Sequence, residues 1–389
     1  LVSEGRKFTY AEVDRITDSL AGYLVSSGMK RGSVVGILIP RCEYMVLASM
    51  GVLKAGCAYL PLDPTYPEDR LNLMVSDSGA CMLITTPELS GIISDSFSGE
   101  RMMVDAIPAL PEPAAALPEP CPEDRFVILY TSGSTGVPKG VMLEHQNLVA
   151  FIKFYRKYYD LKAEHRVAAY ASFGFDANMM DIYPALTTGA TVHIIPEEIR
   201  LDLVAINDYF EANGITHGFF TTQVGVQFLQ NTDNHSLVHL SVGGEKLVSV
   251  DPAENYTFHN GYGPTECTIF TTTLPVLKRE PNIPIGKPTD QLNCYVMDKN
   301  LHRLPVGAAG ELIIAGMQVG RGYLNRPDKT AEAFFMLNGE RAYHTGDIVR
   351  YRQDGNIEFV GRKDGQVKVR GFRIELGEIE TLIAGYEGV

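Results

Sequence analysis

Residues Thr131 to Gly140 form the stretch of this sequence with the clearest capacity for chemistry. Hydroxyl-bearing residues, three glycines and Lys139 follow one another there, directly after the apolar run Phe126–Leu129, which predicts a short buried strand. Glycine lets the backbone approach an anion closely, hydroxyls and N–H groups donate hydrogen bonds, and a lysine supplies positive charge for phosphate oxygens. We therefore expect this loop to bind a nucleotide triphosphate.

A plain Gly/Ser turn is the competing interpretation of the same loop. The run of hydroxyls and the closing lysine argue against it. The spacing also differs from that of a Walker A loop, because no glycine and lysine followed by serine or threonine open the next helix. The sequence therefore disfavours an ordinary P-loop NTPase.

A second loop, Asn260–Glu266, combines an aromatic ring, a hydroxyl and a carboxylate with glycine and proline. Tyr262 can stack on a base, Thr265 can donate to a phosphate, and Glu266 can hold a magnesium ion. Magnesium prefers oxygen ligands and is often held by one or two carboxylates together with substrate phosphates. A structural turn with a surface carboxylate is the alternative interpretation of this loop on its own.

Two further carboxylates occupy positions that suggest ligand binding. Asp347 closes the stretch Tyr343–Asp347 at a predicted strand start, where a carboxylate can accept both hydroxyls of a ribose. Asp176 lies in an apolar setting, and a buried carboxylate is costly unless it meets a cation or hydrogen-bond donors. Asp176 is therefore either the cap of a turn before a helix or a receptor for a substrate ammonium group.

Composition restricts the partners and the compartment. The net charge of −13 and the pI near 5.2 argue against a nucleic-acid partner or an anionic membrane. Six cysteines without CxxC spacing predict neither a zinc site nor a disulfide framework, and they indicate a reducing, cytoplasmic compartment. We find no signal-peptide pattern and no apolar run that could span a bilayer. Because the chain opens at Leu1 rather than methionine, we expect a fragment of a longer protein.

Alternating helix and strand patterns predict an α/β fold with a mostly parallel, helix-covered sheet. Helices are expected between Thr9 and Gly28 and at Glu43–Lys54, Arg70–Asp77 and Asn147–Tyr159, and strands at Val34–Ile39, Cys81–Thr85, Val167–Ala171, Thr191–Ile195 and Thr216–Phe220. The proline-punctuated stretch Ala58–Pro67 is expected to be irregular. Six prolines between Ile107 and Pro122 predict a semi-rigid exposed linker.

The last third of the chain has a different pattern of apolar residues and turns. Short apolar stretches and turns from Ile283 to Tyr323 favour a small antiparallel β unit or barrel. The dipeptide Asp354–Gly355 between two apolar runs predicts a β-hairpin. The basic stretch Gly361–Gly371 is either a solvated β-ribbon or a hinge around Asp364.

Taken together, these stretches resemble the adenylation domains of non-ribosomal peptide synthetases, within the adenylate-forming superfamily of acyl-CoA synthetases and luciferases. The resemblance is carried, in the family's order, by Phe8–Glu12, Leu53–Pro67, Thr131–Gly140, Phe175–Asp181, Asn260–Glu266, Gly310–Arg326, Tyr343–Asp347 and Gly361–Glu380. It implies two helix-covered, mostly parallel sheets, a small β-barrel and the start of a C-terminal lid. The implied domains are a core at 1–363, with α/β subdomains at 1–280 and a β-barrel-like subdomain at 281–363, and a hinge with the beginning of the lid at 364–389.

The resemblance also implies a reaction in two steps. An amino-acid carboxylate attacks the α-phosphate of ATP to give an aminoacyl-adenylate and pyrophosphate. The aminoacyl group then moves to the phosphopantetheine thiol of a peptidyl carrier domain. ATP and Mg²⁺ are the implied cofactors, neighbouring synthetase domains are implied partners, and positioning with charge stabilisation should dominate catalysis.

Matching the family's motifs to this sequence gives the implied site residues. Lys139, Thr265 and Glu266 are the catalytic residues, with Glu266 as the magnesium ligand and Asp364 at the hinge. The ATP-binding residues are Thr131, Ser132, Gly133, Ser134, Thr135, Gly136, Lys139, Asn260, Gly261, Tyr262, Gly263, Thr265, Asp347, Phe359 and Arg362. The first loop would contact the β- and γ-phosphates, Thr265 the α-phosphate, Tyr262 and Asn260 the adenine, and Asp347 and Arg362 the ribose.

The implied substrate pocket is apolar apart from one acid. Its residues are Phe175, Asp176, Ala177, Met180, Phe219, Ser241, Gly243, Gly261, Ile269 and Phe270. Asp176 matches the residue that holds the substrate ammonium, and the glycines are expected to leave room for a side chain. The lining resembles pockets for valine, with isoleucine or leucine next. Valine differs from the other two by one methylene group, which changes binding in an apolar pocket by only about 1–3 kcal/mol, so the sequence does not distinguish among them.

The end of the chain and two alternatives qualify this assignment. The chain stops at Val389, just after the motif that begins the lid, so the family's lysine near the end of the lid falls outside it. We expect the chain as given to bind ATP and an amino acid but to adenylate weakly or not at all. An acyl- or aryl-acid CoA ligase is the first alternative, although Asp176 would repel an acid without an amine. A non-catalytic nucleotide-binding module is the second.

Overall fold

Within the described residues, the computed structural model has three main β-sheets with helices packed on them. The structure describes residues 1–133, 137–364, 366–369 and 372–374, and the single positions 379 and 383. The helices are α1 (Tyr10–Ser26), α2 (Tyr44–Lys54), α3 (Glu68–Ser78), α4 (His145–Tyr158), α5 (Ala177–Thr188), α6 (Leu203–Asn213), α7 (Thr222–Asn231) and α8 (Pro327–Ala333). The strands are β1 (Val2–Ser3), β2 (Arg6–Lys7), β3 (Val34–Leu38), β4 (Ala58–Leu62), β5 (Met82–Thr85), β6 (Glu100–Met103), β7 (Arg125–Thr131), β8 (Lys139–Glu144), β9 (Arg166–Ala169), β10 (Thr191–Ile194), β11 (His217–Thr221), β12 (His239–Gly243), β13 (Thr257–Tyr262), β14 (Thr272–Pro275), β15 (Lys287–Pro288), β16 (Leu292–Met297), β17 (Gly310–Gly316), β18 (Gly322–Tyr323), β19 (Phe334–Leu337), β20 (Glu340–Tyr351), β21 (Ile357–Arg362), β22 (Val367–Val369) and β23 (Phe372–Ile374).

The two large sheets are mostly parallel, as the alternating pattern predicts. The seven-stranded sheet has the order β18-β8-β7-β4-β3-β5-β6, with β8 and β18 added antiparallel at one edge. The nine-stranded sheet has the order β15-β14-β13-β12-β11-β9-β10-β1-β2, with β2, β14 and β15 antiparallel. Because parallel strands share a direction, their carboxyl ends lie along one edge of each sheet.

Burial of apolar strands and helix faces explains why these elements form. All five residues of β3 are buried, which is typical of a parallel strand covered on both faces. Helix α1 begins with the predicted capping box, in which Thr9 and Glu12 each accept a backbone N–H of the other. Helix α1 packs closely on α2, because a Cβ atom on Gly51 would lie only 2.5 Å from a methyl carbon of Leu20.

The third sheet is antiparallel, with the order β16-β17-β20-β19 and with β21 also paired to β20. It confirms the small antiparallel β unit, although β15 and β18 from the same stretch join the two large sheets instead. Asp354–Gly355 forms the predicted hairpin between β20 and β21, with Gly355 at a φ of 79°.

The prediction that Ala58–Pro67 is irregular is wrong in its first half. Strand β4 is fully buried there and pairs along its length with β3, with Pro61 opposite Ile37. Its pairing with β7 is confined to Tyr59. Pro61, which has no N–H to donate, therefore lies beyond the last residue of β4 that pairs with β7. A proline therefore fits a central strand here because one of its two ladders has already ended.

The proline-rich stretch after Ile107 is irregular beyond residue 109, as expected, but it is not a freely exposed linker. Leu110 and Leu117 pack against the main core. Pro113 lies so close to α1 that a Cβ atom on Gly22 would be 2.7 Å from the proline Cβ. This proline-rich stretch therefore packs against α1 and the core.

Some predictions fall outside what the structure describes. Ser134, Thr135 and Gly136 of the phosphate loop lie outside the described residues, as do most positions after residue 374. The predicted division of the chain at residues 280 and 363 stays a prediction. In the described part of the chain, no helix combines the length and the apolar character that crossing a membrane requires.

Replacing Gly51 with alanine should lower the free energy of unfolding by up to about 2 kcal/mol. The added methyl would collide with Leu20, and overpacking of a core costs about 1–3 kcal/mol, against about 1 kcal/mol of helix propensity that alanine adds. Urea denaturation followed by circular dichroism measures the change. The control Gly91→Ala, where a Cβ atom would meet open space, should be near neutral. Equal effects of the two substitutions would contradict the packing argument.

Candidate active site

A cavity of about 480 Å³ is lined by residues from all three sheets. Thr131, Thr221, Gly243 and Tyr262 end β7, β11, β12 and β13, so the carboxyl ends of strands from both large sheets face it. Open α/β sheets bind their ligands outside these strand ends. Residues of β20 and β21, Asp347 among them, complete the wall.

Many of the predicted site residues meet at this cavity, although they come from distant parts of the chain. Those in its lining are Thr131, Ser132, Phe175, Asp176, Ala177, Phe219, Gly243, Tyr262, Gly263, Thr265, Ile269, Phe270, Asp347 and Arg362. The lining also contains residues that the sequence interpretation missed, including Tyr66, Arg70, Tyr343, Thr345 and Gln366. Of these, Tyr66, Tyr343, Thr345 and Gln366 have a sequence signal, because they lie in the motifs that carry the family resemblance, whereas Arg70 lies outside those motifs.

Other predicted residues lie outside this lining. They are Gly133, Lys139, Met180, Ser241, Asn260, Gly261, Glu266, Phe359 and Asp364, while residues 134–136 lie outside the described residues. The Ser241 hydroxyl donates to the Tyr159 hydroxyl at 2.9 Å, and the Asn260 side chain donates to the Pro284 carbonyl at 2.9 Å. These bonds engage both side chains inside the protein, so a direct role in ligand binding stays a prediction for each.

The phosphate loop joins β7 to the antiparallel strand β8, and the register pairs Thr131 with Lys139. The two ends of the loop are therefore held side by side. Oγ1 of Thr131 is buried and has no hydrogen-bond partner among the described residues. A buried hydroxyl without a partner is costly, and a phosphate oxygen would satisfy it. Thr131 thus fits an anionic ligand at this end of the cavity.

Glu266, the predicted magnesium ligand, has no exposed surface. The Tyr323 hydroxyl donates to its Oε1 at 2.8 Å and accepts from Nζ of Lys139 at 2.9 Å. The lysine Nζ also lies 3.6 Å from the same carboxylate oxygen. A buried carboxylate needs a cation or donors, and this one has both. Its oxygens are of the kind that Mg²⁺ prefers, but they already have these partners and lie outside the cavity lining, so a metal-binding role for Glu266 stays a prediction.

Tyr323 is a residue of this cluster that the sequence interpretation did not single out. Its ring centroid lies 4.2 Å from Nζ of Lys139, so the cation contacts the aromatic face as well as the hydroxyl. The only sequence signal for it is its place in the family motif Gly310–Arg326. Its contact with Lys139 joins residues 184 positions apart, which no local pattern reveals.

Asp347 is the centre of a second polar cluster. The Tyr262 hydroxyl donates to its Oδ2, and Nη1 of Arg362 donates to its Oδ1 at 2.8 Å. Burial, together with the Asp347 carboxylate, raises the pKa of Tyr262 well above its ordinary value, so the phenol keeps its proton and remains a donor. Arg362 also donates twice to Asp364, at 2.8 and 2.6 Å, which joins the predicted ribose site to the predicted hinge.

Asp176 immediately precedes α5 and faces the cavity, and its side chain makes no capping hydrogen bond to the helix. The capped-turn interpretation is therefore wrong. The segment before it is held from two sides. Arg41 donates to the carbonyls of Tyr170 and Ala171 at 2.9 and 2.6 Å, and Oδ2 of Asp181 accepts from the N–H groups of the same two residues at 3.0 and 2.9 Å. Arg41 and Asp181 thus fix the backbone that leads to Asp176.

The rest of the predicted substrate pocket is an aromatic and aliphatic wall. The rings of Phe219 and Phe270 lie 5.8 Å apart between centroids. A Cβ atom on Gly261 would lie 2.3 Å from the Phe270 ring, so the expectation that this glycine leaves room for a ligand is wrong. Thr268 and Ile269 have φ values of 60° and 69°, in the left-handed region that β-branched residues rarely adopt.

A second cavity of about 450 Å³ adjoins the first. The two share Phe175, Ala177, Phe219 and Thr221. The second cavity is lined mainly by apolar side chains and reaches Leu201, which is 95% exposed. The shared side chains therefore lie between the first cavity and a second, mainly apolar one.

Comparison with known proteins gives a consistent result. Residues 1–324 match a family model described as AMP-binding enzyme. Bacitracin synthase 1 of Bacillus licheniformis is 41% identical over 401 residues, which cover 100% of this chain and 7% of that protein. Surfactin synthase subunit 2 of Bacillus subtilis is 42% identical over 390 residues, which cover 98% of this chain and 11% of that protein. The chain thus corresponds to a small part of these relatives.

Two solved structures have the same architecture. The non-ribosomal peptide synthetase FmoA3, in a form bound to α-methyl-L-serine-AMP, matches with a TM-score of 0.86 and 27% identity over 94% of this chain and 43% of that chain. NpsA–ThdA, an artificially fused adenylation–PCP di-domain from Klebsiella oxytoca, matches with a TM-score of 0.88 and 26% identity over 99% of this chain and 80% of that chain. The similarity confirms the fold class expected from the sequence.

Replacing Asp181 with asparagine should make the protein's stability less dependent on pH. Burial raises the pKa of Asp181 to about 8, against the opposing influence of two N–H donors and Arg41. Between its usual pKa near 4 and about 8, the folded state keeps a proton that the unfolded state has lost, so the free energy of unfolding falls as pH rises. Asparagine accepts the same N–H bonds without titrating.

Urea denaturation at pH values from 5 to 9 tests this expectation. The stability of Asp181→Asn relative to the wild-type protein should rise with pH through that window and then level off. Asp208→Asn, at an exposed position of α6, is the control and should run parallel to the wild-type protein. A constant difference between Asp181→Asn and the wild-type protein would contradict the expected titration.

Proposed function

This chain belongs to the AMP-binding enzyme family, and on that premise we propose that it uses ATP to convert an amino acid into an aminoacyl-adenylate. The observation that carries the proposal is a single cavity that Thr131, Ser132, Asp347 and Asp176 all line. A triphosphate, a ribose and an ammonium group each find complementary chemistry in that lining. The cavity thus has the groups to bring an amino-acid carboxylate against the α-phosphate of ATP.

The chain's own residues would act mainly by position and charge. Thr131 and Ser132 would donate to the β- and γ-phosphates, and Lys139 would add a positive charge beside them. Thr265 would contact the α-phosphate, where charge develops as the amino-acid carboxylate attacks. Preorganised donors at such a point usually make the largest contribution to catalysis. No covalent attachment to the protein is required.

Glu266 is the residue that would hold Mg²⁺, because its carboxylate supplies the oxygen ligands that this metal prefers. The bound metal would neutralise charge on the phosphates. The Tyr323 hydroxyl donates to Oε1 of Glu266 and so fixes the orientation of the carboxylate. Residues that orient a metal ligand in this way tune the site as much as the ligand itself does.

The amino acid would enter with its ammonium group at Asp176. A hydrogen bond to a charged group is worth about 1.5–3 kcal/mol, so this contact separates amino acids from acids without an amine. Phe219, Ile269 and Phe270 would surround an apolar side chain. We therefore propose valine or another branched aliphatic amino acid as the substrate.

Transfer of the aminoacyl group to the phosphopantetheine thiol of a carrier domain is the second half of the proposal. The apolar cavity beside the active site supports it, because a long thiol-bearing arm needs its own approach to the adenylate. The fused adenylation–PCP protein from Klebsiella oxytoca, which shares this fold, offers independent support. Neighbouring synthetase domains are proposed as further partners.

Two alternative functions differ from this proposal in the ligands they need. An acyl- or aryl-acid CoA ligase would place a second anion beside Asp176, which is unfavourable in an apolar cavity. A non-catalytic nucleotide-binding module would need neither Asp176 nor the second cavity. The position of Asp176 in the cavity lining favours the amino-acid ligase over both.

Amino-acid-dependent exchange of pyrophosphate into ATP, measured over a panel of amino acids, tests the proposal. We expect exchange to be fastest with valine, isoleucine or leucine. Exchange with a polar or aromatic amino acid alone would keep the reaction and contradict the proposed substrate. Activity with carboxylic acids that lack an amine would favour the CoA ligase. Nucleotide binding without any exchange would favour the binding module.

The substitution Asp176→Asn should lower kcat/KM for the amino acid by about 10- to 150-fold, because a neutral amide replaces the receptor of the ammonium group. The KM for ATP should stay within about twofold of its wild-type value, since the proposed partner of Asp176 is the ammonium group of the amino acid and not the nucleotide. Steady-state exchange kinetics with each substrate varied in turn separate the two effects. Asp208→Asn serves as the charge-matched surface control, and an equal loss in that variant would contradict the role of Asp176.

A further inference from the structure

Gln318 lies outside the lining of the cavity but holds the loop Cys267–Phe270, which supplies part of the apolar wall. Its side chain has no exposed surface. Its Nε2 donates to the carbonyls of Thr268 and Phe270 at 3.2 and 3.0 Å. Its own backbone carbonyl accepts from the Thr268 hydroxyl at 2.7 Å. The Gln318 residue thus contacts this loop through both its side chain and its main chain.

The loop needs such support because of its backbone conformation. Thr268 and Ile269 both have positive φ, at 60° and 69°, and both carry a branched β-carbon. Such residues rarely adopt this region, and they remain there only where the surrounding structure over-determines them. The bonds from Gln318 fix the carbonyls on either side of Ile269, which removes the loop's freedom to relax.

The position of the apolar wall follows from that conformation. Ile269 and Phe270 line the cavity, and the loop that carries them lies against the end of β13. A Cβ atom on Gly263 would lie 1.7 Å from the Ile269 carbonyl oxygen, which shows how close the two segments are. Phe270 in turn covers Gly261 and packs on Phe219. A relaxed loop would therefore move the side chains that limit the size of the substrate.

Gln318 is itself anchored from outside the loop. The Asn147 side chain on α4 donates to the carbonyls of Met317 and Val319 at 2.7 and 3.1 Å. The Thr289 hydroxyl donates to Oε1 of Gln318 at 2.8 Å, which orients the amide so that its nitrogen faces the loop. The glutamine is thus held between a buried helix residue and the wall of the cavity.

We propose that Gln318 is a positioning residue that sets the amino-acid selectivity of the adenylation reaction. It acts by holding Thr268 and Ile269 in the left-handed conformation that places the apolar wall. The inference rests on the proposed function and deepens it, because it names a determinant of side-chain size that makes no contact with the substrate.

The variant Gln318→Met tests this directly, because methionine has nearly the same length without an amide donor. We expect the preference for the best branched amino acid over alanine and phenylalanine to fall about tenfold, the size of effect that one misplaced methylene contact produces. The KM for ATP should remain within about twofold. The measurement is pyrophosphate exchange, with kcat/KM determined for each of the three amino acids and the KM for ATP determined separately.

Two further variants separate positioning from a general loss of stability. Asn234→Leu removes another buried amide that holds a loop, through bonds to Asn207 and the Leu237 N–H at 2.9 and 2.8 Å, but outside the lining of the cavity. It should lower the thermal midpoint without changing selectivity. Thr268→Gly in the Gln318→Met background should restore part of the selectivity, because glycine adopts positive φ without strain.

The outcomes distinguish this inference from the proposed function. Unchanged selectivity in a folded Gln318→Met protein would overturn the inference while leaving the function intact. A loss of selectivity in Asn234→Leu equal to that in Gln318→Met, or no rescue by Thr268→Gly, would also overturn it. An absence of amino-acid-dependent exchange in the wild-type protein that includes the complete lid would overturn the proposed function and the inference together.

Discussion

Glu266 carries a carboxylate with no exposed surface at the point where the two large sheets approach each other. It follows β13 of the nine-stranded sheet, whereas Lys139 begins β8 and Tyr323 ends β18 of the seven-stranded sheet. Removing a carboxylate from water is tolerated only where a cation and hydrogen bonds compensate it. The need to place Lys139 and Tyr323 beside Glu266 is therefore a constraint on how the two sheets meet, in addition to the apolar core that they share.

The features that could be predicted are those whose causes are local in the sequence. The capping box at Thr9 and the hairpin at Asp354–Gly355 depend on residues only a few positions apart, and buried apolar runs identify the strands. Pro61 in β4 could not be predicted, because its acceptability depends on where the neighbouring ladder ends. The hydrogen bonds from Arg41 could not be predicted either, because Arg41 donates to the carbonyl of Ala169, which lies 128 positions further along the sequence.

The candidate site shows the same division between chemistry and shape. Motif matching identified many of the acids, hydroxyls and aromatic residues that line the cavity, because their residue types indicate their chemistry. It did not identify how much space they leave, since that depends on side-chain packing. Phe270 covers Gly261, and Ser241 bonds to Tyr159 outside the cavity lining. Residue types in the sequence therefore indicate which side chains line a pocket, but they do not give the volume of the pocket.

Arg362 connects two parts of the protein that the sequence separates by function. One guanidinium bonds Asp347 in the cavity wall and Asp364, where the chain leaves the third sheet. By thermodynamic reciprocity, if a ligand in the cavity changes the free energy of the Arg362–Asp364 ion pair, then breaking that ion pair changes the free energy of ligand binding by the same amount.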